Sequence, residues 1–172
     1  MSGTVWINEL HYDNVGTDAG EFIEIAGAAG TDLTGWSLVL YNGNGGASYA
    51  TTPLSGSIPS ITGGFGVVSV SYPSNGIQNG GAGASTTEGD AIALVNAGGQ
   101  VIQFLAYEAS LTATNGVANG MTATLIPVGE PGSEAAGGSL HLIGSGTAYA
   151  DFTWASTTDD SPGAVNAGQS FG

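Results

Sequence analysis

Four acids and an amide crowd one short N-terminal stretch: Asp13, Asn14, Asp18, Glu21 and Glu24. Calcium favours several oxygen ligands, so it is the ion this stretch would take, with Asp13, Asn14 and Asp18 as ligands in a loop between strands. The spacing is not that of an EF-hand. Val15 and Thr17 stand at ligand positions, and Asp18 replaces the turn glycine. The plainer alternative is that Glu21 and Glu24 face solvent or hydrogen-bond a loop. Asp159-Asp160, beside Ser161-Pro162, form a second acidic stretch and read as a solvated turn. Gly80-Gly81-Ala82-Gly83-Ala84-Ser85 approaches a calcium-binding nonapeptide but carries Ser85 where Asp is required, and that motif works as a repeated array.

Nucleophilic chemistry has little to build on. Gly168-Gln169-Ser170-Phe171-Gly172 spells G-x-S-x-G, but the hydrolase elbow needs a strand before its serine and a helix after it, and no helical pattern follows. His11 and His141 are the only histidines, and no cysteine is present. A Ser-His-Asp triad would need one of them as its base, yet both fall in strand-like runs where packing roles are commoner. Trp6, Trp36 and Trp154 could stack on a sugar ring. Trp36 opens an apolar strand after Gly35 and is expected in the core; Trp154 follows Phe152 at period two, which puts both on one face.

The elements that must position these residues are strands. Short apolar or alternating runs bounded by Gly, Asn, Pro and Ser predict strands at residues 5–12, 21–27, 36–42, 66–72, 91–96, 101–107, 139–143 and 151–154. Six Asn-Gly pairs, beginning at Asn42, Asn44, Asn75, Asn79, Asn115 and Asn119, accept the positive φ of tight turns. Asn96-Ala97-Gly98-Gly99-Gln100 reads as a hairpin turn. Residues 72–89 read as a long surface loop, and residues 111–138 as a segment wrapping one end of the fold. The expected fold is all-β: an antiparallel two-sheet sandwich forming a single domain over 1–172, with Trp36, Leu38, Leu40, Ile92, Leu94 and Phe104 pointing inward.

The charge balance is the strangest feature. The chain has 14 acids and no Lys or Arg, a formal net charge of −14, although charged residues total only 8%. Average usage would supply on the order of 20 basic residues to a chain this long. Base is missing rather than acid abundant. Phosphate neutralisation carries most nucleic-acid affinity, so nucleic acid is excluded as a partner. Arg clamps and Lys nucleophiles are lost with it. No apolar run approaches the roughly 20 residues of a membrane span. Met1-Ser2-Gly3 leads directly into a strand-like run without the basic and apolar regions of a signal peptide. Trypsin should therefore leave the chain intact even when urea has unfolded it fully. A discrete tryptic fragment on a gel would show that the polypeptide is not this sequence.

Read together, Val5-Trp6-Ile7-Asn8-Glu9-Leu10-His11-Tyr12-Asp13-Asn14, Asp18-Ala19-Gly20-Glu21-Phe22-Ile23-Glu24-Ile25, Asp32-Leu33-Thr34-Gly35-Trp36-Ser37-Leu38, Asp90-Ala91-Ile92-Ala93-Leu94-Val95 and Ser161-Pro162-Gly163-Ala164-Val165-Asn166 resemble the bacterial form of the lamin-tail domain. The resemblance covers roughly Val5 to Gln169. It implies an immunoglobulin-like sandwich that serves as an interaction module, of the kind that accompanies secreted nucleases, phosphatases and adhesins. No catalytic domain of those proteins accompanies it here. The expected function is non-catalytic: a structural or interaction module displayed on, or assembling into, an extracellular or virion surface as a decoration protein, fibre or sheath subunit. Its expected partner is protein, including copies of itself, with calcium as the candidate ion. The alternative is an accessory module of a secreted protein, recognising carbohydrate or protein.

Overall fold

A computed structural model describes residues 5–79 and 89–172. The chain is all-β, in the two-sheet class of β-sandwiches. In chain order the strands are β1 (Val5–His11), β2 (Phe22–Ala28), β3 (Ser37–Tyr41), β4 (Ser48–Pro53), β5 (Phe65–Ser71), β6 (Asp90–Val95), β7 (Val101–Tyr107), β8 (Thr124–Leu125), β9 (Ser139–Gly146), β10 (Phe152–Thr157) and β11 (Gln169–Phe171), with one 3₁₀ turn at Tyr149–Asp151. All eight strands expected from the apolar runs are present. Polar β4 and the two short strands β8 and β11 lack that signal. Two compact units divide the chain, each holding one sheet.

The first unit comprises Met1–Asp32, Ser57–Ile77 and Glu130–Gly172. Its sheet runs β10-β9-β1-β2-β5, and β11 adds to β9 in parallel. An aromatic cluster forms on this sheet around fully buried Trp6, whose ring lies 5.9 Å from Phe152, 6.0 Å from Phe65 and 6.2 Å from Phe171. Trp154 packs against the same cluster as Phe152, which is the shared face that their period-two spacing predicts. Gly66 on β5 admits no side chain, since a Cβ there would sit 1.9 Å from the carbonyl oxygen of Pro59.

The second unit comprises Leu33–Gly56 and Gln78–Gly129, with strand order β4-β3-β6-β7-β8. Both faces of its central strands are buried, which is why β6 reads as a continuous apolar run rather than an alternation. Leu38, Leu40, Ile92 and Leu94 are buried on one face, as expected. Phe104 is buried on the other. It pairs with Ala93 in register and clusters with Val39 and Tyr41, its ring meeting Tyr41 edge-on at 5.3 Å. Trp36 also departs from expectation: it lies just ahead of β3 and is only part-buried. The segment after β7, expected to wrap an end, instead covers this second face with Leu111, Ala113, Ala118 and Ala123. Close approach is possible because Gly46 (φ +69°) offers no Cβ, which would fall 2.4 Å from the Thr112 oxygen.

The pairings are not all antiparallel, since β11 runs parallel to β9 and β8 parallel to β7. The hairpin at residues 96–100 forms as read. Asn96 Oδ1 accepts from the amides of Gly98 and Gln100, and Gly99 takes φ +76°.

Candidate functional site

The polar chemistry of the first unit gathers on β1 and its neighbours. Residues Ile7 and Glu9 pair with the consecutive residues Ile25 and Glu24, so Asn8 is an extra residue in a bulge. The bulge aims Asn8 into a buried amide network. Its Nδ2 donates to Glu24 Oε1 and Gln169 Oε1, both at 3.1 Å, and Gln169 Nε2 returns a bond to Asn8 Oδ1 at 2.7 Å. Asn166 Nδ2 closes the network by donating to the carbonyls of Asn8 and Leu142.

Glu9 faces Glu24 on one side and His141 on the other, in direct cross-strand register. Glu9 accepts from Ser139 Oγ at 2.6 Å, from the Ser161 amide at 3.0 Å and from Ser161 Oγ at 3.0 Å. Glu24 accepts from the Gly163 amide at 2.7 Å. Both carboxylates therefore hold the 161–166 segment onto the sheet. Burial pushes Glu24 up to about 8, against its bonds from Gly163 and Asn8, with the neighbouring Glu9 adding to the rise. Burial raises Glu9 as well, opposed by Ser139 and Ser161.

Elsewhere the acids do similar work. Glu21 accepts from the amides of Gly76 and Ile77, both at 2.9 Å, and burial raises its pKa. In the second unit, Asp90 accepts from the Gly43 amide at 2.8 Å and is likewise raised by burial. So Glu21 and Glu24 do hold loops, as the plainer alternative has it, but from fully buried positions rather than from solvent.

The proposed calcium stretch forms a loop closed by its own hydrogen bonds. Asp18 Oδ1 accepts from the Asn14 amide at 3.1 Å, Asn14 Oδ1 accepts from the Ala19 amide at 2.8 Å, and Asn14 Nδ2 donates to the carbonyls of Val15 and Thr17. Asn14 and Asp18 are buried and Asp13 is half-buried. Among the described residues, no three His, Cys, Asp or Glu side chains gather as a metal-binding group. The Asn14 oxygen, which the calcium reading would make a ligand, is engaged in closing the loop.

His11 sits beside this loop at the centre of a clasp. Its Nδ1 lies 2.7 Å from Glu130 Oε1. Its Nε2 lies 3.3 Å from Asn14 Oδ1 and 3.2 Å from the Ala19 carbonyl. The Asn14 oxygen is identified by the Ala19 amide that donates to it, so both ring nitrogens face acceptors and both must carry hydrogen. His11 is an imidazolium. Burial works against its charge, but the bond to Glu130 and that carboxylate's charge outweigh it and carry the pKa up to about 9. Glu130 Oε2 also accepts from the amides of Tyr12 at 2.7 Å and Asp13 at 2.9 Å, and the Glu130 amide donates to the Tyr12 hydroxyl. A chain without Lys or Arg thus makes its own internal cation.

The remaining candidates separate. His141 is buried with no partner for Nδ1, and burial holds its pKa below the ordinary value. Ser139 and Ser161 donate to Glu9 rather than to a histidine, so no nucleophile–base bond of a triad is present among the described residues. Ser170 lies within β11, its hydroxyl bonded to Ser145 Oγ at 2.8 Å. Trp6 is buried in the core of the first unit, where Trp154 Nε1 donates to the Tyr149 hydroxyl, and Trp36 belongs to the second unit. Asp159 is exposed and Asp160 half-exposed in a turn, where the Asp159 amide donates to Thr157 Oγ1. The Gly80–Ser85 stretch lies outside the described residues.

Glu130 and Ser139 had no motif to announce them. Asn166 stands in the Ser161–Asn166 block of the resemblance and Gln169 beside Ser170 in the G-x-S-x-G run, but neither pattern points to a buried amide network. Asn8 and Glu9 carry a signal as polar residues interrupting an otherwise apolar strand. No family model, no curated protein and no solved structure matches this chain.

Proposed function

We propose that this chain is a non-catalytic structural or interaction module of lamin-tail, immunoglobulin-like type, displayed on or assembling into an extracellular or virion surface. The observation that supports the reading is how the acids are used. Each of the buried carboxylates Glu9, Asp18, Glu21, Glu24 and Asp90 accepts hydrogen bonds from a backbone amide of a loop or turn. Groups that could act as acid, base or ligand are engaged in fixing backbone, which suits a scaffold presenting loops to a partner. No helix among the described residues is long and apolar enough to cross a membrane.

Assembly between copies must overcome their shared negative charge. Screening limits that repulsion to about 8 Å at physiological ionic strength, so self-association should strengthen with salt. Calcium should strengthen it more sharply if Asp13, Asn14 and Asp18 bind the ion. Analytical ultracentrifugation in chelator, in sodium chloride and in millimolar calcium checks this. A larger species in salt supports assembly by screening, and a calcium-specific species lost in Asp18→Asn supports an ion-bridged one. A monomer in all three, up to millimolar protein, overturns self-assembly.

A second reading, an accessory module that binds carbohydrate or protein, draws on part-exposed Trp36. Quenching or enhancement of tryptophan fluorescence by oligosaccharides, lost in Trp36→Phe, would favour it.

A further inference from the structure

The six Asn-Gly pairs share one intrinsic reactivity. The glycine amide nitrogen can attack the asparagine Cγ: a C–N bond forms, the Cγ–Nδ2 bond breaks and ammonia leaves. Water then opens the resulting succinimide at either carbonyl, giving aspartate or isoaspartate. The reaction needs an unencumbered glycine nitrogen and a side-chain amide free to swing towards it.

The fold denies one or both to most of the pairs. Gly43 N donates to Asp90 Oδ1, while the Asn42 side chain bonds Gln78 and accepts from the Asn44 amide. Gly76 N donates to the Pro73 carbonyl and to Glu21 Oε2, and Asn75 Oδ1 accepts from the Asp18 amide. Asn115 Oδ1 is held by both the amide and the hydroxyl of Ser48. Gly120 N donates to the Ala113 carbonyl at 2.8 Å. The pair at Asn79 runs into residues outside the described part.

Asn44-Gly45 is different. Both residues are exposed in the turn between β3 and β4. The bonds they make are from the Asn44 amide to Asn42 Oδ1 and from Thr114 Oγ1 to the Gly45 carbonyl. Neither the Asn44 side chain nor the Gly45 N–H has a partner among the described residues. We infer that, among the five Asn-Gly pairs that lie wholly within the described residues, Asn44 is the site of spontaneous deamidation and isoaspartate formation. The product adds a negative charge to a chain without Lys or Arg, and the isoaspartate form adds a backbone methylene to the turn between β3 and β4.

The test is incubation of the full native chain in mildly alkaline buffer at physiological temperature. Digestion with chymotrypsin and fragmentation mass spectrometry that separates aspartate from isoaspartate then follow each site. Asn44 should convert about three- to tenfold faster than Asn42, Asn75, Asn115 or Asn119, the factor set by one hydrogen bond that must open first at the others. In urea the five rates should converge, because the distinction belongs to the fold. Equal native rates, a faster site among those four, or an Asn44 preference that persists in urea would each overturn the assignment. Asn44→Ser should abolish the dominant product while leaving the slower sites as they are.

Discussion

The melting temperature should fall as pH is raised from about 6.5 to about 9.5, by roughly 10–20 °C. Two groups set this window. Glu24 titrates at about 8 in the folded chain against an ordinary 4.5, so the native state holds its proton more tightly than the unfolded state. Its contribution is fully present below 4.5 and is lost as pH rises through about 8. His11 titrates at about 9 against 6.5, and its contribution is fully present below 6.5 and lost as pH rises through about 9. The two losses overlap and share one sign. From pH 6.5 upward the two losses together span about four tenfold steps in proton affinity, on the order of 5 kcal/mol at about 1.4 kcal/mol per step. A chain this size moves about 2–4 °C per kcal/mol.

Burial of the carboxylates, more than crowding among like charges, raises them: desolvation leads for Glu9, Glu21, Glu24, Asp90 and Asp160, and neighbouring acids add less at Glu9, Glu21, Glu24 and Asp160. His141 acts oppositely below 6.5, because its buried neutral ring resists a proton that the unfolded chain accepts. Circular dichroism melts at constant ionic strength measure the curve. Glu24→Gln should flatten its alkaline limb. A melting temperature level or rising across the window would contradict the argument.

The second large effect should come from His11→Leu, which removes the cation but leaves the Glu130 carboxylate 6% exposed and without a countercharge. Breaking a buried pair from one side costs about 3–5 kcal/mol. The lower end is expected here, because the amides of Tyr12 and Asp13 still donate to Glu130. Urea unfolding at neutral pH gives the value. A double-mutant cycle with Glu130→Gln should return a coupling of about 1–3 kcal/mol, as for groups in one network. Additive effects would show that His11 and Glu130 do not act as a pair. The clasp joins the end of β1 to a residue 119 positions away, so its loss should also speed proteolysis around residues 12–19.

Strand positions were legible in the sequence because side-chain period and turn chemistry are local properties. The apolar runs at residues 101–107 and 139–143 locate β7 and the start of β9, and Asn96 to Gln100 shows its hairpin through its asparagine and glycines. The absence of Lys and Arg needs no structure at all. What the sequence leaves open is which polar groups meet. Glu130 lies 118 residues from Tyr12, and Gln169 lies 161 from Asn8, so no window along the chain contains either pair. The formal charge of −14 counts His11 as neutral, and only the acceptors around both ring nitrogens make it a cation. Phe104 shows the same limit on a smaller scale. Alternation places it on one face of β7, but which face is inward depends on register with Ala93 and on the segment that returns to cover it. Local pattern determines the apolar strands and the turns, but not polar β4 or the short β8 and β11. Register, burial and protonation are set by neighbours distant in the chain, and tertiary structure alone brings those together.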